Sequence, residues 1–123
     1  TAGGVRLYTP SATASWEAAA AAELRAAWAG KPPIERPVHL LVRAVARRPK
    51  RLMRQRDSAG RLWRGVRPDA DNVLKAVADA MQLAGVVRDD ALIVRVEAES
   101  LYTAKHESPR VEIVLREVES EPR

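Results

Sequence analysis

Asp69 and Asp71 stand two positions apart just ahead of an apolar helical repeat, Lys75 follows Asp71 by four, Asp79 by eight, and the pair Asp89 and Asp90 closes the group. In extended backbone, side chains two apart point the same way, so both leading carboxylates can reach one point. Like charges that close repel unless a cation lies between them or one is protonated. Mg²⁺, with Mn²⁺ as a substitute, is the cation that suits such a set, because it takes oxygen ligands and binds through one or two carboxylates plus waters and phosphate. Lys75, one turn along from Asp71 on the same helical face, would set its ammonium beside that metal or a phosphate. Attack of a metal-activated water on a phosphodiester is the chemistry these residue types at this spacing can perform.

A plainer account exists for each acid. Aspartates before a helix often cap it and complement its dipole, Asp71 with Lys75 can be a surface ion pair, and Asp79 can continue a solvated stripe. The surroundings favour chemistry. From Arg47 to Arg67 there are nine basic residues (Arg47, Arg48, Lys50, Arg51, Arg54, Arg56, Arg61, Arg64, Arg67) against one acid, Asp57, with Trp63 among them. Carboxylates alone would repel a nucleic acid, whereas a neighbouring cationic block draws its backbone in. Arg48, Lys50, Arg51, Arg54, Arg64 and Arg67 are the candidate phosphate contacts, and Trp63 is a candidate for stacking on a base.

The elements that must position these residues follow from periodicity. The start of the chain through Tyr8 reads as a short strand. TPSATASWEAAAAAELRAAWAG reads as a helix capped by Ser11, Thr13 or Ser15 and ended by Gly30 with Pro32 and Pro33. VHLLVRAVA from Val38 reads as a strand, and the basic block after it, with Pro49 and a Ser58-Ala59-Gly60 turn signal, as a long loop or loose hairpin. From Asp71 to Ala84 the helical period puts Asp71, Asn72, Lys75, Asp79 and Gln82 on one side and Val73, Leu74, Val77, Ala80, Met81 and Ala84 on the other, with Gly85 as C-terminal cap. LIVRVEAESLY and RVEIVLREVE read as strands, with TAKHESP as a hairpin loop between them. The expected architecture is α+β: one domain over residues 1–123, with a small mixed or antiparallel sheet, two main helices and a frayed tail at 119–123.

The totals agree with that. At 123 residues and 46% hydrophobic composition there is material for one core and little for a second. The absence of cysteine removes disulfides and thiolate metal sites and fits a reducing compartment, so a cytoplasmic location is expected. No apolar run approaches the roughly 20 residues that cross a bilayer. His39 and His106 are too far apart in sequence to suggest a pair, and Trp16 and Trp28 are expected to pack the first helix on the sheet.

PDADNVLKAVADAM followed by GVVRDDALIV resembles the RusA family of Holliday-junction resolvases, with further similarity at RLYTPSATASWE and at PRVEIVL. The resemblance implies that Asp69, Asp71 and Asp90 bind the catalytic Mg²⁺, that Lys75 is an essential cation beside them, and that Asp79 and Asp89 are secondary. It also implies a homodimer that nicks opposing strands of branched DNA, a four-way junction. Two positions depart from the family pattern: Leu92 stands where Gln is usual, and Ser100 where Lys is frequent. The family also carries an earlier strand and a basic, proline-containing segment ahead of the Tyr-Thr-Pro element, where only TAGGVR stands here. The alternative function is a catalytically weak or inactive module that binds junctions or single-stranded DNA. A helix from Asp71 to Ala84 is about 20 Å long, so Asp90 must either travel back along it or meet the other acids from a neighbouring subunit.

Overall fold

The computed structural model describes residues 4–9, 16–66 and 70–119, with backbone alone at 4–9 and 16–18. Five strands form one sheet: β1 (Gly4–Thr9), β2 (Val38–Ala46), β3 (Leu62–Trp63), β4 (Ile93–Tyr102) and β5 (Arg110–Glu117), in the order β1-β5-β2-β4-β3. Two helices, α1 (Trp16–Trp28) and α2 (Ala70–Leu83), pack on each other and on the sheet. The mixed α+β architecture read from the sequence is the one observed.

The helices lie on one face because of strand alternation. Val38, Leu40 and Val42 of β2 and Val111, Ile113 and Leu115 of β5 are buried in one cluster with Ala20, Ala21 and Leu24 of α1 and Val77, Ala80 and Met81 of α2. Alanines on α1 keep that helix thin where it meets its neighbours, which suits a core with no Phe. Trp28 packs at the rim and donates from Nε1 to the Pro32 carbonyl at 3.1 Å. Both helices end where glycine takes a positive φ, Gly30 at 73° and Gly85 at 77°, the conformation a C-terminal cap requires. The caps expected at Ser11, Thr13 and Ser15 lie outside the described residues.

One expectation is corrected. β4 and β5 do not form a hairpin, because β2 lies between them, parallel to β4 and antiparallel to β5. The parallel pair needs a crossover, which the basic segment and α2 provide between β2 and β4. Residues 103–109 therefore carry the chain past β2 to β5. Strand signals are local, and they do not name the neighbour a strand will choose.

The segment after α2 is tied down. Ile34 N–H donates to the Val86 carbonyl at 2.8 Å, and Arg88 N–H donates to the Ile34 carbonyl at 3.0 Å. Val86 and Val87 are fully buried, so the chain leaves α2 in a fixed direction and delivers Asp89 and Asp90 to a defined place. Among the described residues no helix is long and apolar enough to cross a membrane.

Candidate active site and nucleic-acid surface

α2 exposes the stripe that its periodicity predicts. Asp71, Asn72, Lys75, Asp79 and Gln82 lie on the side that faces away from the core, while Val77, Ala80 and Met81 are buried. Asp71 sits in the first turn, where a carboxylate also complements the helix dipole. Asp71, Lys75 and Asp79 make no ion pair among the described residues. Asp69 and Arg67 lie outside the described residues.

At the far end, Asp90 opens a short 3-10 turn, Asp90–Leu92. Asp89 caps that turn, its Oδ1 accepting from Ala91 N–H at 2.9 Å, which gives Asp89 a local structural role. Asp90 is held by its backbone: its N–H donates to Gln82 Oε1 at 3.1 Å, and its carboxylate stays exposed. From Asp71 to Gln82 the helix runs about 16 Å. Asp71 and Asp90 thus stand at opposite ends of one stripe, and a single chain does not bring them together. Among the described residues no three His, Asp or Glu side chains gather where they could hold a metal ion. Asp71 and Asp90 offer hard oxygen donors without ion-pair partners among the described residues, the ligand type that Mg²⁺ takes.

Beside the start of α2 lies an open cleft of about 530 Å³, lined by Trp63–Val66, Ala70 and Ala98–Ser100. Ser100 Oγ is buried there and makes no hydrogen bond. Trp63 is 74% exposed, and the Arg64 guanidinium lies over the Tyr102 ring at 5.9 Å.

The basic block is an ordered lobe, and Arg48 is the reason. Expected from the sequence to meet phosphate, Arg48 is instead 5% exposed and donates to the carbonyls of Thr103 (2.7 Å), Leu52 (2.8 Å), Ser58 (2.6 Å) and Gly60. A guanidinium has a fixed fork of five N–H donors, so one side chain can close a loop that has few backbone bonds of its own. Arg48 is therefore corrected from a DNA contact to the pin of the lobe that carries the others. Lys50, Arg51, Arg54 and Arg56 project from that lobe and are exposed.

Arg61 is spent differently. Its Nη2 lies 2.6 Å from both Glu107 Oε2 and Glu112 Oε2, and Arg43, Glu99 and Arg110 extend the network across the sheet face opposite the helices. Hydrogen bonds from Arg61 hold the Glu107 carboxyl down at about 2 and the Glu112 carboxyl below its ordinary range, and they raise the Arg61 guanidinium further. Neither Arg48 nor Arg61 differs in sequence from the solvent-facing arginines beside it. The carbonyls and carboxylates that claim them come from residues up to 55 positions away.

An acidic stripe turned to solvent and a cationic lobe on one small α+β sheet form a charge pattern that suits an enzyme acting on nucleic acid. The sequence model of the family described as endodeoxyribonuclease RusA matches residues 1–116, and the chain belongs to that family. Its members are endonucleases that resolve Holliday junctions. No curated protein matches the sequence.

Proposed function

We propose that this chain is a divalent-metal-dependent endonuclease that resolves four-way DNA junctions by paired nicks, working as a homodimer. One observation carries the reading. Glu99, Glu107 and Glu112 on the open sheet face are matched by arginines, whereas Asp71, Lys75, Asp79 and the Asp90 carboxylate are left without ion-pair partners among the described residues. Charges held open without a structural partner are available to a metal and a phosphate.

In this reading Asp71 and Asp90, with Asp69, hold Mg²⁺ or Mn²⁺, which when bound activates a water and stabilises charge developing on phosphorus. Lys75 sets its ammonium one turn from Asp71, where it neutralises a phosphate oxygen. Lys50, Arg51 and Arg54 attract the backbone from the lobe, Arg64 reaches the cleft, and Trp63 offers a stacking surface at its mouth. Two sites related by a twofold axis supply the two nicks that a symmetric junction needs.

A binding module without cleavage is the second reading, favoured by Ser100, whose small hydroxyl lines the cleft where a lysine would add a cation. A labelled four-way junction separates the two. Cleavage that requires Mg²⁺ and vanishes in Asp71→Asn while junction binding persists supports the nuclease. Binding with no product at any Mg²⁺ or Mn²⁺ concentration supports the module.

A further inference from the structure

Every backbone donor of the turn that carries Asp90 is taken, and one of the acceptors comes from α2. Asp90 N–H donates to Gln82 Oε1 at 3.1 Å, Ala91 N–H to Asp89 Oδ1 at 2.9 Å, and Leu92 N–H to the Asp89 carbonyl at 3.1 Å. Ile93 N–H then closes the turn on the Asp90 carbonyl. Aspartate side chains readily fold back on their own or a neighbouring backbone N–H. The Asp90 carboxylate finds each of these donors occupied, and it stays exposed.

We propose that Gln82 is the positioning residue of Asp90: its side-chain amide takes the one N–H of the turn that Asp89 does not reach, and so holds the Asp90 carboxylate open for a divalent cation. The inference rests on the proposed reading that Asp90 serves the metal, and it names what keeps that carboxylate available.

The anchor is firm because the end of α2 is firm. Gln82 is the last residue but one of that helix. Beyond it the chain reverses through Gly85 N–H donating to the Gln82 carbonyl at 3.1 Å and Val86 N–H donating to the Met81 carbonyl at 3.0 Å, the two bonds of a Schellman motif about Gly85. Met81 and Val86 are fully buried. α1 adds a further tie, Arg25 Nη2 donating to the Leu83 carbonyl at 3.2 Å, and the bridge between Ile34 and Val87 fixes the path that leads on to Asp89. An exposed hydrogen bond between two loose ends contributes little. Between segments already ordered by other contacts, little further chain entropy is lost in making it.

The chemistry of the amide matters as well. Its oxygen accepts the N–H without carrying a charge, whereas a carboxylate at the same place would bring a second negative charge to the turn that presents Asp90. The two adjacent acids are thereby divided in task. Asp89 builds the turn through Ala91 N–H, Gln82 ties it to α2, and the Asp90 side chain is left to face solvent.

Gln82→Met keeps the length of the side chain and removes the acceptor; Gln82→Glu keeps an acceptor oxygen at the same reach. Hydrogen exchange at the Asp90 amide, read by NMR on the metal-free protein, should quicken about tenfold in Gln82→Met and stay near the wild-type rate in Gln82→Glu. Mn²⁺ affinity without DNA, read by electron paramagnetic resonance, should weaken about tenfold in Gln82→Met, the scale of one net hydrogen bond, and return to within about threefold of wild type in Gln82→Glu. In single-turnover junction cleavage the Mg²⁺ concentration at half-maximal rate should rise in parallel, while the rate at saturating Mg²⁺ falls less. Amide exchange and Mn²⁺ affinity that Gln82→Met leaves unchanged overturn the positioning role and leave the nuclease reading standing. A loss that Gln82→Glu does not restore, or that only follows a fall in melting temperature, overturns it too. Wild-type protein whose Mn²⁺ affinity depends on Asp90 and on Gln82 but which cuts no junction ends the nuclease reading and keeps the positioning role. Mn²⁺ binding indifferent to Asp90→Asn ends both.

Discussion

Two charged surfaces on this small sheet are built on opposite terms. On the open sheet face, Arg43, Arg61, Arg110, Glu99, Glu107 and Glu112 satisfy one another in a connected network, with the Glu112 side chain only 9% exposed and that of Arg61 26%. On the outer stripe of α2 and the turn after it, Asp71, Lys75, Asp79 and the Asp90 carboxylate have no such partners among the described residues. The first surface invests its charges in holding the chain together, which partly buried groups must do because desolvation penalises an unmatched charge. The second keeps its charges in water at little cost. The separation teaches that the acids of this chain divide by commitment, although they do not differ in type.

The comparison breaks most severely at Asp71. Asp71→Asn should lower junction cleavage by between about 100- and 1,000-fold, the scale of losing one group aimed at developing charge. Its melting temperature should fall only slightly, because the carboxylate makes no ion pair among the described residues and its structural part is limited to the helix dipole. Single-turnover cleavage beside calorimetry checks both halves, and an Asn variant that melts early and cuts normally would reverse the assignment.

Arg48 gives the converse on the cationic side. Arg48→Met leaves the carbonyls of Thr103, Leu52, Ser58 and Gly60 without this donor, each a desolvation cost, and should remove about 3 kcal/mol of stability. Proteolysis should then cut within 50–60, where the lobe has lost its pin. Glu112→Gln, breaking charge-assisted bonds to Arg61 and Arg110, should cost less, about 2 kcal/mol by urea melts, with cleavage per folded molecule unchanged.

The same network predicts a pH dependence. Arg61 holds the Glu107 carboxyl at about 2 against 4.5 for an unperturbed glutamate, and it also lowers Glu112. A depressed folded-state value means that the stabilisation is present above about 4.5 and is lost as pH falls toward about 2. Wild-type stability should therefore decline through that window, and Glu107→Gln should flatten the slope.

Much of the frame was legible because it follows from local rules. The β2 strand and the two faces of α2 follow from side-chain period, and the helix ends from Gly30 and Gly85. The neighbour of β4 was not legible: IVRVEAESLY fits an antiparallel hairpin or a parallel crossover equally well, and only burial against β2 and α2 decides. Arg48 and Arg61 were hidden for a related reason, since a basic run does not record which of its members will find carbonyls or carboxylates from distant stretches of chain. The shared outer face of Asp71, Lys75 and Asp79 was legible from the helical period, but the place of Asp90 was not, because Asp90 is positioned by Gln82 and by the bridge between Ile34 and Val87.

The smallest expected effect sharpens the contrast within the lobe. Lys50 and Arg54 are exposed on it, and neither charge has an ion-pair partner among the described residues. Removing one side chain that neutralises a phosphate should reduce the slope of log affinity against log salt by about 0.9 and weaken low-salt junction binding a few-fold. Lys50→Ala and Arg54→Ala should do this with unchanged melting temperature, by fluorescence anisotropy across a salt series. Arg48→Met, measured below its melting transition, should keep the wild-type slope, because a guanidinium already committed to carbonyls releases no counterions. A wild-type slope in both surface variants would move the DNA path off the lobe and onto the cleft at Trp63 and Arg64.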